Sequence, residues 1–152
     1  MDDRLFRNAM GKFATGVTVI TTAANGDVHG MTANAFMSVS LNPKLILISI
    51  GNRANMKNLI DQSKKFAVNI LAKEQKDASQ YFAGQLNDRR EIEFLWNNDI
   101  PILPNSITNI VCDLYASYPA GDHTLYIGEV KDIVMNEGKP LTFYEGTYAS
   151  IS

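Results

Sequence analysis

A segment from His29 to Ile50, HGMTANAFMSVSLNPKLILISI, carries many small polar side chains although it begins and ends like a β-strand. These side chains belong to Thr32, Asn34, Ser38 and Ser40. Hydroxyls and short amides can hydrogen-bond the polar edge of a bound planar group. An edge strand with its Thr, Asn and Ser facing the solvent explains the same residues, and composition by itself favours that reading.

Other chemistry carried by side chains is poorly supported. The sequence has no Gly-x-Ser-x-Gly elbow for a hydrolytic nucleophile. Cys112 lies in the middle of an apolar alternation, which is typical of a small buried hydrophobic residue. His29, His123 and Cys112 are too far apart in sequence to suggest a metal site. The stretch GKFATG lacks the Lys-Ser/Thr pair of a phosphate-binding loop. The remaining possibility is chemistry performed by a cofactor.

A flavin would use the polar residues in their sequence order. Its ring edge needs backbone groups, short amides and hydroxyls, which Thr32-Ala33-Asn34 and Ser38-Val39-Ser40 offer. Its phosphate needs N–H groups or a cation, which GNRANMKN at 51–58 offers. The candidate residues in that stretch are Gly51, Arg53, Asn55 and Lys57.

Composition predicts one ordinary globular domain over residues 1–152. The chain is 45% hydrophobic and 20% charged, with a net charge of −2. It has no basic run of the kind that nucleic-acid-binding proteins present. The longest apolar run, LILISI, is too short to span a bilayer, and the first stretch, MDDRLFRNAM, opens with two acidic residues and does not resemble a secretory leader. With one cysteine and no possible internal disulfide, a soluble cytoplasmic protein is expected.

The polar residues must be positioned by a mainly β framework. Hydrophobic periodicity predicts helices over 2–14, 54–65 and 73–84 and strands over 17–24, 28–36, 44–50, 66–72, 107–118 and 123–135, with LTFYEGTY as the last strand region. Gly16 is expected to end the first helix, and Asn25-Gly26 predicts a tight hairpin turn. The nearly all-apolar strand 44–50 is expected to be buried on both faces. Antiparallel strands with a few covering helices favour a small closed or split β-barrel.

Four stretches, in this order and spacing, resemble the flavin reductase-like, split-barrel FMN-binding family. They are FATGVTVITT, the segment from His29 to Ile50, FAVNIL and PAGDHTLYIGEV. The resemblance runs from Phe13 to Tyr148 and is most specific in GMTANAF…SVSL and GDHTLYIGEV. Among the family it is similar to the short-chain flavin reductases that partner two-component, flavin-dependent monooxygenases.

The resemblance implies a six-stranded Greek-key split barrel, a homodimer, and flavin in a groove near the subunit interface. It implies that Thr32, Ala33 and Asn34 follow the isoalloxazine ring and ribityl chain of FMN or FAD. Ser38, Val39 and Ser40 match a second strip of flavin contacts. His123, in the GDH stretch, matches the side where NADH or NADPH delivers its hydride to the flavin. His29 is expected only to flank a strand.

The chain departs from the family pattern at three residues. Ala54 and Met56 stand where family members commonly place Ser and Thr for the flavin phosphate, so the neighbouring residues of 51–58 would have to hold it. Glu91 follows Arg90 where many members have an aromatic residue. Two further hypotheses therefore stay open: an electron carrier or flavin storage protein without nicotinamide activity, and an interaction module that has lost its flavin. A pyridoxamine-phosphate-oxidase-like activity fits less well, because the GDH stretch has no evident use in it.

Overall fold

The computed structural model describes residues 1–86 and 90–151 of the protein, and the chain forms mainly β structure with three α-helices in that part. The helices are α1 (Asp3–Gly11), α2 (Asn55–Ser63) and α3 (Lys76–Phe82), the last preceded by a 3₁₀ turn at Lys73–Gln75. The strands are β1 (Thr15–Gly16), β2 (Thr18–Ala24), β3 (Asp27–Ala33), β4 (Phe36–Leu41), β5 (Lys44–Gly51), β6 (Lys65–Ile70), β7 (Leu95–Asn97), β8 (Ile100–Ile102), β9 (Thr108–Ala120), β10 (His123–Met135), β11 (Thr142–Tyr144) and β12 (Thr147–Ala149).

Seven of these strands form one antiparallel sheet in the order β3-β2-β6-β9-β10-β5-β4. A second sheet contains β1, β11 and β12, and β7 pairs only with β8. The expectation of a mainly β fold is confirmed, but a six-stranded Greek-key barrel is not. Within the described residues the two edge strands, β3 and β4, are not paired with each other, so the large sheet is open.

The main core lies between this sheet and α2. Ile20, Ile48 and Phe66 are fully buried there, together with Met56 and Ile60 from α2. The expectation that β5 is buried on both faces is wrong. Its isoleucines at alternate positions are buried, whereas Leu45, Leu47 and Ser49 on the other face are only partly covered.

The predicted strand over 28–36 is interrupted before its end. Strand β3 stops at Ala33, and Asn34 and Ala35 form the connection to β4. Ser38 of β4 pairs with Ile46 of β5, and Ser40 pairs with the adjacent Leu45. Val39 is therefore an extra residue in β4. Such a bulge bends a strand and re-aims its side chains. Much of the polar segment is therefore a connection and a bulged edge strand.

The first helix is shorter than predicted and has no buried residue. Asp2 caps its start by accepting a hydrogen bond from the Arg4 N–H. The helix ends at Gly11, not at Gly16, which pairs with Thr142 in the small sheet. The helix thus ends three residues before the predicted residue 14, and pairing in the small sheet begins at Thr15.

The hairpin of β7 and β8 lies within a region where a proline-punctuated loop is expected. Its turn places Asn98 and Asp99 at φ values of 50° and 62°, the left-handed conformation of a tight hairpin turn. The Asn97 side chain donates to the Asp132 carboxylate at 2.7 Å and ties the hairpin to β10. The preceding stretch, DRREIEFLW, begins at positions 88 and 89, which lie outside the described residues.

A fully buried Asn69 links β2, β6, β9 and β8. Its amide nitrogen donates to the Val19 carbonyl at 2.8 Å, and its oxygen accepts from the Leu103 N–H at 2.9 Å and from the Asn109 amide at 2.7 Å. Because every polar atom of this amide has a partner, its burial does not leave a desolvated group unpaired. The network fixes the sheet that carries β3.

Two features of the surface and interior bear on function. Between residues 1 and 86 and between 90 and 151, no helix has the length and apolar character needed to cross a membrane. Over the same ranges, no three His, Cys, Asp or Glu side chains are grouped so that they could hold a metal ion.

Candidate functional site

Thr32 and Ala33 are held rigidly at the end of β3. The Thr32 hydroxyl donates to the Ser79 carbonyl of α3 at 2.6 Å, and the Ala33 carbonyl accepts from the Thr18 hydroxyl at 2.6 Å. Both residues are only partly buried. The two hydrogen bonds fix this stretch as a firm wall, and they already use the Thr32 hydroxyl hydrogen.

Asn34 follows this wall and lies where three cavities meet. The side chain is exposed, and the residue lines cavities of about 590, 630 and 160 Å³. The 590 Å³ cavity is mostly apolar and is formed by Phe13, Phe36, Met37 and Leu47 among others. An amide at the rim of an apolar cavity can orient a flat heteroaromatic ring. Ligand sites commonly combine an apolar lining with a few such polar groups.

The 630 Å³ cavity lies between α1 and the β11–β12 hairpin, with Phe6, Met10 and Phe143 in its lining. Glu145, which also lines it, forms an ion pair with Lys12, whose Nζ lies 2.9 Å from the Glu145 carboxylate. The hydrogen bond and charge of Glu145 raise the pKa of Lys12, and Lys12 lowers the pKa of Glu145 in return. Both side chains are exposed, so the pair holds α1 only weakly.

Ser38, Val39 and Ser40 lie on the edge strand and line neither of the two large cavities. Near the start of β4 the Ala35 carbonyl accepts from the Ser49 N–H at 3.3 Å, and from there the strand runs antiparallel to β5, away from Gly51. Asn34 therefore lies near the Gly51 end of β5, whereas Ser38, Val39 and Ser40 lie progressively farther from that end.

His123 and Gly51 face each other across paired strands. They are Cα partners in the β10–β5 ladder, and a Cβ added to Gly51 would lie 3.9 Å from His123 Nε2. His123 Nδ1 lies 2.7 Å from an Asp122 carboxylate oxygen. That hydrogen bond lowers the pKa of Asp122. The imidazole is thus held by one nitrogen, with the other near the end of β5.

The loop after Gly51 is joined to the same turn. The Asn52 N–H donates to the Asp122 carbonyl at 2.9 Å, and the Thr124 hydroxyl donates to the Asn52 side-chain oxygen at 2.7 Å. Arg53 is exposed and makes no hydrogen bond or ion pair within the described part of the chain. The candidate residues Gly51, Arg53 and His123 are therefore brought into one cluster at the end of the large sheet.

The N-terminus of α2 supplies the rest of that cluster. Ala54 is its N-cap and makes no capping hydrogen bond through its side chain, and Asn55 is the first helical residue. Lys57 Nζ lies 2.9 Å from an Asp61 carboxylate oxygen, and the buried Tyr126 hydroxyl donates to the other oxygen at 2.8 Å. Burial opposes ionisation of Asp61, but these hydrogen bonds outweigh it and lower the pKa of Asp61.

Several residues at the site were not predicted from the sequence. Tyr126 and Asp61 anchor α2, while Ser79, Phe143 and Tyr148 close the smallest cavity. No local pattern marks them, because their partners lie on other elements. The two departures at Ala54 and Met56 differ in place: Met56 is buried in the core, and Ala54 caps the helix.

Two further residues from the sequence analysis lie away from these cavities. Cys112 is fully buried, and the loss of hydration raises the pKa of its thiol to about 12, as expected for an unreactive packing residue. Glu91 is exposed in the connection between α3 and β7. The neighbouring Arg90 guanidinium lies 5.8 Å from the centre of the Tyr81 ring.

Comparison with known proteins assigns the chain to a family. A family model described as flavin reductase like domain matches residues 10–152. An NADH-dependent flavin reductase from a Rhodococcus species is 44% identical over 148 residues, covering 95% of this chain and 84% of the relative. The reductase component of 4-hydroxyphenylacetate 3-monooxygenase from Thermus thermophilus is 32% identical over 144 residues, covering 94% and 93%.

The fold is also similar to that of solved flavin reductase structures. The solved structure of the flavin reductase PheA2 in its native state superposes with a TM-score of 0.98 at 58% sequence identity. The match covers 100% of this chain and 99% of that one. The fold of this chain thus belongs to a known architecture.

Proposed function

The chain belongs to the flavin reductase-like domain family, and on that premise we propose that it is an NAD(P)H:flavin oxidoreductase that supplies reduced flavin to a partner monooxygenase. The observation that carries the proposal is the position of Asn34, which follows the wall of Thr32 and Ala33 and lines an apolar cavity of about 590 Å³. That volume lies within the usual range of small-molecule sites. Relatives named for NADH-dependent flavin reduction and as a monooxygenase reductase component support it.

The wall binds the isoalloxazine ring of FMN or FAD. Thr32 and Ala33 are already hydrogen-bonded within the protein, so they offer shape and backbone, while the free amide of Asn34 hydrogen-bonds the ring edge. Ser38, Val39 and Ser40 extend this wall along the edge strand, where the bulge exposes a strip of small residues. When bound, the flavin accepts the hydride of NAD(P)H.

The flavin phosphate is bound by the cluster after β5. Arg53 supplies a side-chain cation that makes no hydrogen bond or ion pair among the described residues, and the N–H groups of Gly51, Asn55 and the first turn of α2 add donors. Lys57 shares one ammonium hydrogen with Asp61 and keeps two for the phosphate. These donors take the place of the hydroxyls that Ala54 and Met56 lack.

His123 contacts the pyridine nucleotide. The carboxylate of Asp122 holds Nδ1, which leaves Nε2 to face a ligand at the Gly51 end of the sheet. No general base is required, because hydride transfer depends on holding two rings about 3–3.5 Å apart in the right orientation. The protein contributes orientation and a water-poor slot.

The assembly we propose is a homodimer of single-domain chains, each spanning residues 1–152, in the cytoplasm. Leu5, Phe6 and Met10 of α1 are each more than half exposed, and Phe13 after it is 79% exposed. Apolar side chains that do not pack within their own chain suit an interface with a second copy. FAVNIL is apolar too but adds no surface to such an interface, because Phe66 and its neighbours are buried in their own sheet.

The test is steady-state oxidation of NADH and NADPH, each with and without added FMN or FAD. We expect nucleotide oxidation that depends on the flavin. Tight retention of flavin through purification with no nucleotide oxidation would instead support an electron carrier or storage protein. A protein that binds neither ligand would support an interaction module.

A further inference from the structure

Met37 lines the apolar cavity that is proposed to receive the flavin ring. It lies on the edge strand β4, pairs with Leu47 of β5, and is 55% exposed. We propose that Met37 is an oxidation site, at which hydrogen peroxide converts the thioether to a sulfoxide and so weakens flavin binding. The inference rests on the proposed function and adds to it a means by which uncoupled turnover limits itself.

The methionines of the chain differ in exposure and in the surfaces that they line. Met56 is 3% exposed and Met31 packs against the main core, so the core shields both sulfur atoms. The methionines that are more than half exposed are Met1, Met10, Met37 and Met135. Of these, only Met37 lines the 590 Å³ cavity. Oxidation of Met37 is therefore the oxidation that changes the lining of this cavity.

The oxidant comes from the reaction that the chain is proposed to perform. Reduced flavin that no monooxygenase consumes passes its electron pair and the accompanying protons to dioxygen, which yields hydrogen peroxide and oxidised flavin. The peroxide then transfers an oxygen atom to the Met37 sulfur, so that the O–O bond breaks, an S–O bond forms and water leaves. The sulfur loses the electron pair that the peroxide gains. Because the cavity must be open for flavin to enter, peroxide can reach Met37 there.

A sulfoxide at Met37 penalises ligand binding more than folding. The oxidised side chain is polar and needs hydrogen-bond donors. Water supplies those donors in the flavin-free protein, because the side chain is half-exposed. The neighbouring walls include Phe13, Phe36 and Leu47, which offer none from their side chains. A flavin ring that fills the cavity displaces the water, so the cost of the unpaired oxygen falls on binding.

The polar groups in the same lining do not remove this cost. The Thr18 hydroxyl already donates to the Ala33 carbonyl, and the Thr15 hydroxyl oxygen is buried and does not face the cavity. The remaining side-chain donor in the lining is the Asn34 amide, which is proposed to hydrogen-bond the ring edge. A sulfoxide that accepts from Asn34 therefore competes with the flavin for this amide.

The test begins with flavin-free protein treated with hydrogen peroxide, so that it needs no turnover. Peptide mass spectrometry follows the added oxygen at Met37, and fluorescence titration gives the Kd for FMN. We expect this Kd to rise about tenfold in step with Met37 oxidation, the scale of one lost hydrogen bond, while the Tm hardly changes. Methionine sulfoxide reductases should restore the Kd. The buried Met56 should remain unmodified and serves as the internal control.

Met37→Leu and Met135→Leu form a matched pair of variants. Each is compared with its own FMN Kd before peroxide, because Met37 belongs to the cavity lining. Peroxide should leave the Kd of Met37→Leu unchanged. Met135 is 78% exposed on β10 and lies outside this cavity, so Met135→Leu should lose affinity to the same extent as wild type.

A second arm uses turnover in air with NADH and FMN and without a monooxygenase. We expect Met37 to be oxidised during this turnover, and added catalase to prevent it by destroying the peroxide. A wild-type protein that binds FMN but oxidises no NADH would defeat the proposed function, whereas the arm with added peroxide would still decide the inference.

Any of four results would overturn the inference while leaving flavin reduction intact. One is a Met37 side chain that stays reduced while Met135 is oxidised by added peroxide. Another is an unchanged FMN Kd after complete oxidation of Met37. The third is an equal loss of affinity in Met37→Leu, which would assign the effect to another residue. The fourth is turnover in air that leaves Met37 reduced in the absence of catalase.

Discussion

At the scale of single residues, the candidate site depends on which polar groups are still free to bind. Thr32 and Ala33 have their hydrogen bonds inside the protein, whereas the amide of Asn34 is exposed at the meeting point of three cavities. His123 is held by Asp122 through one nitrogen only. Asn34 and His123 are therefore the residues at which a substitution should change ligand binding with little effect on folding.

We expect Asn34→Leu to weaken flavin binding by about tenfold or more while leaving the fold intact. The amide would be replaced by an alkyl group of similar size, and loss of a partner for a desolvated polar group costs about 1–3 kcal/mol. Flavin fluorescence titration measures the affinity, with circular dichroism as the check on folding. Asn34→Ser, which retains a polar group, should lose less. Equal affinity in wild type and Asn34→Leu would place Asn34 outside the flavin site.

We expect His123→Ala to raise the KM for NAD(P)H or lower kcat while the flavin Kd stays nearly constant. The wall at Thr32 and the cluster at Arg53 remain in place, so only the contact to the nucleotide is lost. Steady-state kinetics and flavin titration measure the two effects separately. His29→Ala, the only other histidine, is the control and should behave as wild type. Loss of flavin binding in His123→Ala would assign the imidazole to the other ligand.

At the scale of elements, a side-chain hydrogen bond to β10 adds to the core packing of Met56 and Ile60 in positioning α2. The Tyr126 hydroxyl donates to Asp61, and Asp61 also binds Lys57 from the same helix. Tyr126 is fully buried, and its pKa is raised by desolvation and by the carboxylate. The phenol and the carboxylate therefore fix the helix whose first turn is proposed to face the flavin phosphate.

We expect Tyr126→Phe to lower the free energy of unfolding by about 1–2 kcal/mol at pH 7, since it removes a hydrogen bond to a charged group. The pKa of Asp61 is below its ordinary value of 3.8 in the folded state. Its contribution is therefore present above that value and is lost as the pH falls through the lower folded-state pKa. Urea unfolding should show a difference between wild type and variant that is constant from pH 7 to about 5 and shrinks below about 4.

Tyr115→Phe is the matched control for this prediction, because Tyr115 is 56% exposed on β9. It should leave the unfolding free energy unchanged at every pH. A difference between wild type and Tyr126→Phe that stays constant down to pH 3 would contradict the assigned role of Asp61.

At the scale of the whole molecule, α1 is the element whose apolar side chains are not buried by its own chain. None of its residues is buried, and its tie to the body consists of the Lys12–Glu145 ion pair and a hydrogen bond from the Glu145 N–H to the Gly11 carbonyl. An amphipathic helix of 9 residues held only at its end gains little from propensity alone. A second copy that covers it would supply the missing burial.

We expect light scattering to give twice the chain mass of 16.8 kDa across micromolar concentrations. Met10→Glu should shift the protein toward monomer, because it places a charge among the exposed apolar residues of α1. Asn8→Glu adds the same charge at a polar position of the same helix and should stay dimeric. A monomeric wild-type mass over the whole range would contradict the dimer and leave α1 without an assigned partner.

The sequence by itself determined the features that depend on neighbours in the chain. Asn25 and Gly26 form the predicted hairpin turn, with φ values of 54° and 82°. The alternation over 107–118 and the GD turn before His123 predict β9 and β10 correctly. The motif order was also sufficient to predict the family, because glycines, small polar residues and strand patterns are set by local backbone requirements.

Only the tertiary structure decided which of the candidate residues lie together and which are already engaged. The polar segment is divided by Asn34 and Ala35 into a wall and an edge strand, Lys57 is paired with Asp61, and FAVNIL is covered by its own sheet. Ser79 and Tyr148 are 69 positions apart, yet their hydroxyls touch. No local pattern encodes such contacts, because they follow from strand register and from the packing of α3 and the C-terminal hairpin on β3.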